Sequence, residues 1–425
     1  MSIRGCFSGI VTMLLIVLSI VAVFAAGPVT PVAPVPPVAV VEPAQPDQAT
    51  IDSAREIGDI SNALGFRLMA NMQKTEKSSY VLSPLSIEMA LGIANYCAAT
   101  TTKEGITRAA GFGKLTPTQI DGDNNKQIRI CKKPDSVVNI SMANGVWLPK
   151  DTKFVLPHLA EEFNEAYQAN FECVDLTTPD SAKAMNDWIA AKTSTEKFGD
   201  MLKPADFTTT TSMVMANAML VQAPWVAPFD KTLTKDADFT TVSGKVKKVP
   251  MMTKSLSTDY LENDTMQYVN LFLGNTGRVC MDVIIPKPGK KFSDIGFTAE
   301  NWMKWQGSCD SANLTLKMPK VKISDERDMK NYLSNAGMQD AFDTKTADFS
   351  VITGAKGLSL SVLRHKSVLE IDELGVGVDA NKAAVATALT SKTTTVMLNR
   401  PFVVLIYDSM SNTILSMGVV NDPQP

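Results

Sequence analysis

The strongest indication of the fold comes from two segments near the C-terminus, Arg364–Gly375 (RHKSVLEIDELG) and Pro401–Tyr407 (PFVVLIY). Both are apolar with partial alternation, a pattern that predicts two β-strands. The roughly 25 residues between them contain no proline and no pattern of core residues, and such a long connection without structure is uncommon in a compact domain unless the loop itself is functional. We therefore expect an exposed functional loop between two strands.

The composition is that of a globular protein. The chain has 425 residues, 45% hydrophobic and 20% charged, enough for one large core or two moderate ones. The formal net charge of -3 gives no overall basic excess, so we expect no nucleic acid as partner. The motif Gly375-x-Gly377-x-x-Ala380 imitates a dinucleotide-binding turn, but it lacks the later acidic residue and the βαβ context. No cofactor is therefore expected.

The first 25 residues have the features of a secretory signal peptide. Arg4 gives a positive start, Ile10–Val23 is an apolar run, and Val23-Phe24-Ala25 fits a cleavage site with small residues. The run is shorter than the ~20 residues that a spanning helix prefers. We therefore predict cleavage and secretion to the extracellular space without stable membrane insertion. The alternative is an uncleaved signal anchor that holds the protein at the outer face of a membrane.

A proline-rich spacer is predicted over residues 26–50, and a single folded domain over residues 51–425. The spacer interleaves proline with valine and alanine, which favours extended polyproline II and cannot form a core. Ile51–Met72 then has the apolar spacing of an amphipathic helix. Its hydrophobic face consists of Ile57, Ile60, Leu64 and Leu68.

The rest of the chain indicates an α+β fold. Ser83 is suited to cap a second helix that Pro84 opens and that continues to Ala94, and Ser181–Ala191 also has a helical pattern. Strand patterns occur at Thr210–Ala223, Val279–Pro286, Leu314–Ile323 and Leu358–Glu370. Long helices followed mainly by strands favour α+β over a regular βαβ alternation.

Short strings between about residues 55 and 423 resemble those of the serpin family of serine protease inhibitors. The loop begins with the family's acidic hinge, which ends at Gly375, and is followed by a Pro-Phe strand at Pro401. The other strings are Ser83-Pro84-Leu85-Ser86, Ala143–Leu148, Asn186-x-Trp188 with Thr193, Asn217-Ala218-Met219 with Trp225 and Phe229, Val249–Met252, Met318–Lys320 and Met417–Pro423. Each string is weak alone, but their common order is specific.

The resemblance implies the serpin fold, in which helices pack around a large, mainly antiparallel sheet A with two smaller sheets and an exposed reactive loop, here at about residues 375–398. It also implies that the protein is not an enzyme. In the family's inhibitors a target protease cleaves the loop and forms an acyl-enzyme, and the freed loop then inserts into the main sheet. The implied partner is thus a protease in a covalent complex, and the implied state is a monomer.

The resemblance places the hinge at Glu373, Gly375, Val376, Gly377, Val378, Asp379, Ala380 and Asn381. Insertion requires small or apolar side chains at every second position, because alternate residues of a strand point into the core. Counted from Gly375, the inward set is Val376, Val378, Ala380, Lys382, Ala384 and Ala386. The valines are bulkier than the residues usual in inhibitors. An inward Lys382 would cost several kcal/mol unless it snorkels or pairs, or a one-residue bulge turns it outward.

Loop length in the family places the cleaved bond after Leu389 when counted from Gly375, and after Thr390 when counted back from Pro401. Leu389 suits chymotrypsin-like, elastase-like or subtilisin-like serine proteases, whose primary pockets are apolar, and a cysteine protease is a further possible target. Ser391 and Lys392 are alternative positions, and Lys392 would suit a trypsin-like enzyme.

The resemblance also implies a gating site, the shutter, at the centre of the main sheet. His365 would contact Ser83 and Ser86, which flank Pro84 at the start of the second helix, in a gating and not a catalytic role. Trp225 would lie at the breach, where the loop enters the sheet. The other histidine, His158, is expected at the surface.

A non-inhibitory serpin that serves as a binding, carrier or structural protein is the alternative function. The segment Ala383–Leu389 favours inhibition, because it is small, uncharged and free of proline. Such a segment suits insertion into a sheet and is not required of a carrier.

Overall fold

The computed structural model describes residues 46–132, 134–178, 180–378 and 394–424. The predicted signal peptide, most of the predicted spacer, the hinge positions Asp379, Ala380 and Asn381, and the candidate bond positions Leu389, Thr390, Ser391 and Lys392 lie outside the described residues. No helix in the described ranges has the length and apolar character needed to cross a membrane.

Most of the long helices precede residue 200. The helices are α1 (Gln48–Thr75), α2 (Pro84–Cys97), α3 (Thr100–Ala110), α4 (Pro117–Cys131), α5 (Leu159–Tyr167), α6 (Asp180–Thr193), α7 (Phe292–Ile295), α8 (Ala299–Gln306), α9 (Lys330–Leu333), α10 (Gln339–Phe342) and α11 (Ser350–Thr353). Short 3-10 turns lie at Glu196–Phe198, Pro204–Asp206 and Lys231–Leu233, and a π-helical turn at Ser334–Met338.

The strands occur mainly in the second half of the described chain. They are β1 (Tyr80–Leu82), β2 (Asn139–Pro149), β3 (Asn170–Val174), β4 (Met213–Pro224), β5 (Lys235–Thr240), β6 (Val246–Glu262), β7 (Met266–Leu273), β8 (Val279–Pro286), β9 (Asp310–Pro319), β10 (Val321–Asp328), β11 (Leu360–Ile371), β12 (Gly375–Val376), β13 (Thr394–Met397), β14 (Phe402–Asp408) and β15 (Thr413–Val420). The order of helices and strands is that of an α+β protein, as predicted.

The strands form a six-stranded and a nine-stranded sheet. The six-stranded sheet has the order β10-β11-β12-β4-β2-β3 and is mixed, with antiparallel pairs β10–β11 and β4–β2 and parallel pairs β11–β4 and β2–β3. The nine-stranded sheet has the order β1-β15-β14-β8-β7-β6-β9-β13, with β5 on β6. The two smaller sheets implied by the resemblance are continuous here, because the 17-residue strand β6 pairs with β5, β7 and β9.

Helix α2 lies between the two sheets and holds the core together. It packs against β4 of the six-stranded sheet and β15 of the nine-stranded sheet, and it is buried from Pro84 to Asn95. As predicted, the Ser83 side chain accepts a hydrogen bond from the Ser86 N–H and Pro84 opens the helix. On the opposite face of the six-stranded sheet, α6 covers a smaller hydrophobic cluster that includes Trp147 and Val362.

Several boundaries shift by one to three residues, and two larger differences from the sequence predictions concern the start of α1 and the division of one predicted strand. Helix α1 begins at Gln48, because the Asp47 side chain accepts a hydrogen bond from the Thr50 N–H and caps the helix. Residues 48–50, placed in the spacer from the sequence, therefore belong to this helix. The single strand predicted at Leu314–Ile323 is two strands, which end and begin on either side of Lys320 and belong to different sheets.

Candidate functional site

The seam between β4 and β11 is the centre of the candidate site. These strands pair in parallel from Met213 opposite Leu360 to Leu220 opposite Val368. At their C-terminal ends they separate, and the short strand β12 occupies the space between them, paired antiparallel with both. A further strand could join the centre of the sheet by extending along this line, after the pairing of β4 with β11 is broken.

Hydrogen bonds of the side chain and backbone of Asp372 stabilise the turn that leads into β12. The Asp372 carboxylate accepts hydrogen bonds from the Leu374 N–H at 2.8 Å and the Gly375 N–H at 3.3 Å, and the Asp372 N–H donates to the Gly375 carbonyl at 3.1 Å. A Cβ on Gly375 would lie only 2.2 Å from the carbonyl oxygen of Ala223. Glycine is therefore needed here because β12 approaches β4 so closely.

The hinge strand β12 already occupies a central position in the uncleaved chain. Val376 is 1% exposed and pairs with Ile371 on one side and Ala223 on the other. The next residue, Gly377, donates its N–H to the Glu370 carbonyl at 2.8 Å. Val376 is thus buried, in line with its predicted inward orientation, and Val378 is half-buried.

Gln222 makes a contact with the hinge that the sequence did not reveal. Its side-chain Nε2 donates to the Gly377 carbonyl at 3.0 Å, and its Oε1 accepts from Asn139 at 2.9 Å. The sequence marked Gln222 and Ala223 only as departures from the Lys-Gly pair usual in the family. The amide side chain extends the ladder of backbone hydrogen bonds by one step and so tethers the hinge to β4.

Trp225 lies where the hinge enters the sheet, the position expected for the breach. Its indole Nε1 donates to the Asp372 carbonyl at 2.9 Å, and its backbone N–H donates to the Leu374 carbonyl at 3.0 Å. Phe229 packs edge-on against the indole with ring centres 5.7 Å apart and donates its N–H to the Glu373 carbonyl. The end of β4 and the hinge turn are thus joined by both side-chain and backbone contacts.

Glu373 is a buried charged residue of the hinge turn. It is 4% exposed, its Oε2 lies 3.0 Å from the Lys320 ammonium, and its Oε1 accepts from the Thr234 hydroxyl at 2.8 Å. Burial raises the pKa of this carboxyl, but hydrogen bonds and the Lys320 charge outweigh that effect and hold the pKa below its usual value. The ionised carboxylate thus joins the turn to the β9–β10 junction.

A cluster of four buried polar side chains, which we call the gate, spans the middle of the seam. It consists of Ser83, Ser86, Asn217 and His365, each at most 1% exposed. His365 on β11 lies directly opposite Asn217 on β4, and its Nδ1 contacts the Asn217 Oδ1. The His365 Nε2 accepts a hydrogen bond from the Ser83 N–H at 3.0 Å, and the Ser86 hydroxyl donates to the Asn217 Oδ1 at 3.2 Å.

These contacts define the state of His365. Because Nε2 accepts from a backbone N–H, the proton of the neutral ring lies on Nδ1 and is donated to Asn217. Burial, with a smaller effect from Arg327, lowers the pKa of His365 to about 3. The ring is therefore neutral. Its partners within the described ranges are the Ser83 N–H and the Asn217 amide, neither of which is a nucleophile or a carboxylate, so the ring fits a structural role.

The gate differs from the sequence prediction in one respect. His365 accepts a hydrogen bond from the Ser83 N–H, whereas it is linked to Ser86 through Asn217 and through Ser83, which accepts from the Ser86 N–H. The sequence named Asn217 as part of a family string and assigned it no role. An asparagine within the apolar strand MVMANAMLV was a usable signal, because a buried amide needs specific partners.

His158 precedes α5 and is exposed, with Glu161 at 2.9 Å.

Ion pairs that the sequence did not reveal stabilise the face of β11 opposite the gate. Arg364 pairs with Asp206, Lys366 with Asp200, and Glu370 with Lys197. The partners all belong to the connection between α6 and β4. This connection covers β11 on one face while the gate holds it from the other.

A family model described as Serpin (serine protease inhibitor) matches residues 59–423. The chain belongs to the serpin family. Similar curated proteins include a serine protease inhibitor of Rattus norvegicus, 31% identical over 350 residues, which cover 81% of this chain and 83% of that protein. Corticosteroid-binding globulin of Homo sapiens is 27% identical over 353 residues, which cover 82% of this chain and 85% of that protein.

Solved serpin structures share the fold. Human thyroxine-binding globulin in complex with its hormone is 24% identical, with a TM-score of 0.79 over 88% of this chain and all of that one. Serpin-12 of Manduca sexta is 22% identical, with a TM-score of 0.76 over 86% of this chain and 99% of that one. At these identities the likeness concerns the fold alone. The relatives thus include protease inhibitors and hormone-binding globulins.

Proposed function

We propose that this serpin is a suicide-substrate inhibitor of proteases. The observation that carries the proposal is the hinge strand β12, which pairs with β11 and β4 at the open end of the seam. After cleavage, the released loop would continue from Val376 along the seam, as the gate opens and β4 separates from β11. Strand addition of this kind satisfies backbone hydrogen bonds on both sides and releases strain of the native state.

The free energy available from insertion is large. With burial worth ~25 cal/mol per Å², an inserted segment of about a dozen residues supplies on the order of tens of kcal/mol before the loss of chain entropy is subtracted. This is ample to distort the active site of an attached protease. The burial of Val376 supports the proposal, because a β-branched side chain fits at the first inward position.

The proposed target class follows from the loop sequence. We propose cleavage after Leu389, or one residue later after Thr390, by a chymotrypsin-like, elastase-like or subtilisin-like serine protease or by a cysteine protease with an apolar pocket. Cleavage at Ser391 or Lys392 is the lower-ranked alternative, and Lys392 would attract a trypsin-like enzyme. The remaining hinge residues Asp379, Ala380 and Asn381 would enter the sheet after Val378.

The test is to mix the protein without residues 1–25 separately with elastase, chymotrypsin, subtilisin, papain and trypsin. A complex that survives denaturing gel electrophoresis, with a released fragment that begins at Thr390, would support inhibition with Leu389 as the bait residue. The variant Leu389→Arg should transfer complex formation to trypsin. The variant Val376→Arg places a charge at a buried position and should be cleaved without forming a complex, because insertion is blocked.

A carrier function is the second candidate, favoured by the similarity to corticosteroid-binding and thyroxine-binding globulins. In that case the loop would be cleaved without a stable complex and without a gain in thermal stability. Direct titration with cortisol and thyroxine would then show binding. Cleavage that raises the melting temperature would argue against a carrier whose loop does not insert into the sheet.

We also propose that the protein is secreted after removal of residues 1–25, and that residues 26–47 act as a spacer before α1. N-terminal sequencing of the protein recovered from the medium tests this proposal. Recovery only in the membrane fraction, with an intact N-terminus, would instead support the signal-anchored alternative.

A further inference from the structure

Glu88 is a buried carboxyl that the proposed mechanism does not use. It lies on α2, two residues after Ser86 of the gate, and its side chain is fully buried. No lysine or arginine within the described ranges is ion-paired with it. A buried, unpaired carboxylate is strongly unfavourable, so either a partner or a proton must compensate for it.

Two orphan oxygen atoms show how Glu88 is compensated. The Glu88 Oε1 accepts a hydrogen bond from the Asn124 Nδ2 on α4 at 3.1 Å. The Glu88 Oε2 and the Asn124 Oδ1 are both buried and have no hydrogen-bond partner among the residues that the structure describes. If Glu88 were ionised, both atoms would be acceptors, and neither could satisfy the other. A single proton on Oε2 turns it into a donor to the same amide group.

We propose that Glu88 is held as a neutral carboxylic acid that shares its proton with the Asn124 carbonyl, and that loss of this proton at alkaline pH weakens the attachment of α2 to α4 and loosens the gate. Donor and acceptor atoms then balance, since the acid donates to Oδ1 and accepts from Nδ2. We name this two-bond contact the Glu88–Asn124 clamp. It is a pH-sensitive device, and its connection to loop insertion rests on the proposed function.

The surrounding charges favour the neutral form. Burial raises the pKa of Glu88 to about 8, the hydrogen bond from Asn124 opposes this change, and Asp121 and Asp123 on α4 add to it. From α5, the Tyr167 hydroxyl faces this region but donates to Asp121. The nearby cations act on the other acids, since Lys126 pairs with Asp123, and the Lys103 charge on α3 only partly opposes the burial that raises the pKa of Asp121 to about 6.

The clamp reaches the gate through α2. The first turn of this helix supplies both the Ser83 N–H that binds His365 and the Ser86 hydroxyl that binds Asn217. A shift of α2 therefore alters contacts on both sides of the seam. A histidine is the usual pH-sensitive group near neutrality. In the folded protein His365 stays neutral, and Glu88 takes that role.

The direction of the pH effect follows from linkage. In the unfolded chain Glu88 ionises near the ordinary glutamate pKa of 4.5, so above that pH the folded protein retains a proton that the unfolded chain has lost. Its contribution to stability is therefore complete below pH 4.5 and is lost as the pH rises towards about 8. Between about pH 6.5 and 8.5 the unfolding equilibrium constant should rise about 25-fold.

The first experiment is urea unfolding of the wild type and Glu88→Gln at both pH values. Glutamine keeps the donor and acceptor pattern of the neutral acid at any pH. We therefore expect the unfolding equilibrium constant of the wild type, divided by that of the variant, to rise about 25-fold between pH 6.5 and 8.5. The control is Asp282→Asn. Asp282 is also buried, but both of its oxygens accept hydrogen bonds, from Asn270 and Trp302, so its effect should not grow over this range.

A variant that is destabilised equally at both pH values would overturn the proposal, because Glu88 would then act as an anion. If Glu88→Gln does not fold, the infrared C=O stretch of a protonated carboxylic acid in the wild type tests the same point. This band should persist at pH 6.5 and decrease towards pH 8.5. A spectrum without that change would also overturn the proposal.

Amide hydrogen exchange tests the link to the gate. The wild type and Glu88→Gln are compared at the same pH, so that the intrinsic effect of pH on exchange cancels. We expect faster exchange in the wild type at pH 8.5 for the peptides that contain β4, β11 and the start of α2. Equal exchange would overturn the link to the gate. No protease enters these measurements, so a failure to inhibit would leave their interpretation unchanged.

Discussion

The gate and the hinge turn hold the same two strands by different physical means. The gate joins β4 and β11 through neutral, fully buried hydrogen bonds among Ser83, Ser86, Asn217 and His365. The hinge turn is held by the charged pair Glu373–Lys320, in which the lysine side chain is 32% exposed. The gate should therefore be strong and insensitive to salt, whereas the hinge should be weaker and tunable by salt and pH.

This contrast predicts an order of events for the proposed loop insertion. Release of the hinge would break the Glu373–Lys320 contact, which water can partly replace because the lysine is partly exposed. The gate cannot open without exposing or orphaning buried polar groups, which costs more. We therefore expect the contacts of the hinge to break before those of the gate, and the opening of the gate to set the activation barrier to insertion.

Removal of the Asn217 side chain should reduce the free energy of unfolding more than the other changes proposed below. The variant Asn217→Ala leaves the Ser86 hydroxyl and the His365 Nδ1 without their common partner, and we expect a loss of about 3 kcal/mol in the free energy of unfolding. The control is Asn139→Ala at the exposed end of β2, whose side chain bonds Gln222 and Ser141, with an expected loss below about 0.5 kcal/mol. Urea unfolding measures both, and similar losses would contradict the distinction between buried gate and exposed edge.

The gate should weaken in acid through His365. The pKa of His365 is lowered from 6.5 to about 3 by burial, so its contribution to stability is complete above pH 6.5 and falls as the pH decreases towards 3. Relative to His365→Gln, the wild type should lose about 2 kcal/mol between pH 6.5 and 4.5. The comparison must be with the variant, because the raised pKa values of Glu88 and Asp282 act in the opposite direction. A constant difference would mean that His365 is already protonated or exposed.

A methyl group at Gly375 should displace the hinge strand without opening the gate. Its Cβ would lie 2.2 Å from the Ala223 carbonyl oxygen, and neither backbone can move freely, so Gly375→Ala should cost about 2 kcal/mol. Gly244→Ala is the matched control, since Gly244 has a φ of 83° but no neighbour within 4 Å, with an expected cost of about 1 kcal/mol. Hydrogen exchange should increase at the hinge in Gly375→Ala, while protection of the gate remains.

The smallest effect is expected at the ion pair of the hinge turn. Glu373→Gln should cost about 1 kcal/mol at low salt, because Lys320 is partly exposed and water compensates for much of the loss. Since the pKa of Glu373 is lowered, the contribution is present above pH 4.5 and is lost as the pH falls below that value. The cost should shrink at 1 M salt, whereas that of Asn217→Ala should not. Equal salt dependence would remove the contrast between the two regions.

The sequence predicted local structure well where a single segment carries the signal. The strand at Val279–Pro286 has the same bounds in the structure, and the capped start of α2 at Ser83 and Pro84 follows from local chemistry. The family strings likewise predicted the fold, which the solved relatives share. Such features depend on residues that are neighbours in the chain, so periodicity, caps and motifs reveal them.

Only the tertiary structure decided which distant side chains meet. The apolar alternation of Leu314–Ile323 shifts by one residue at Pro319 and Lys320, but only the packing assigns its two halves to different sheets. The roles of Asn217, Gln222 and Glu88 arise from partners on β11, the hinge and α4, which are 36 to 155 residues away in the chain. A polar residue in an apolar segment indicates that a hydrogen-bond partner is needed. The sequence does not identify that partner, because strand register and helix packing bring the two residues together.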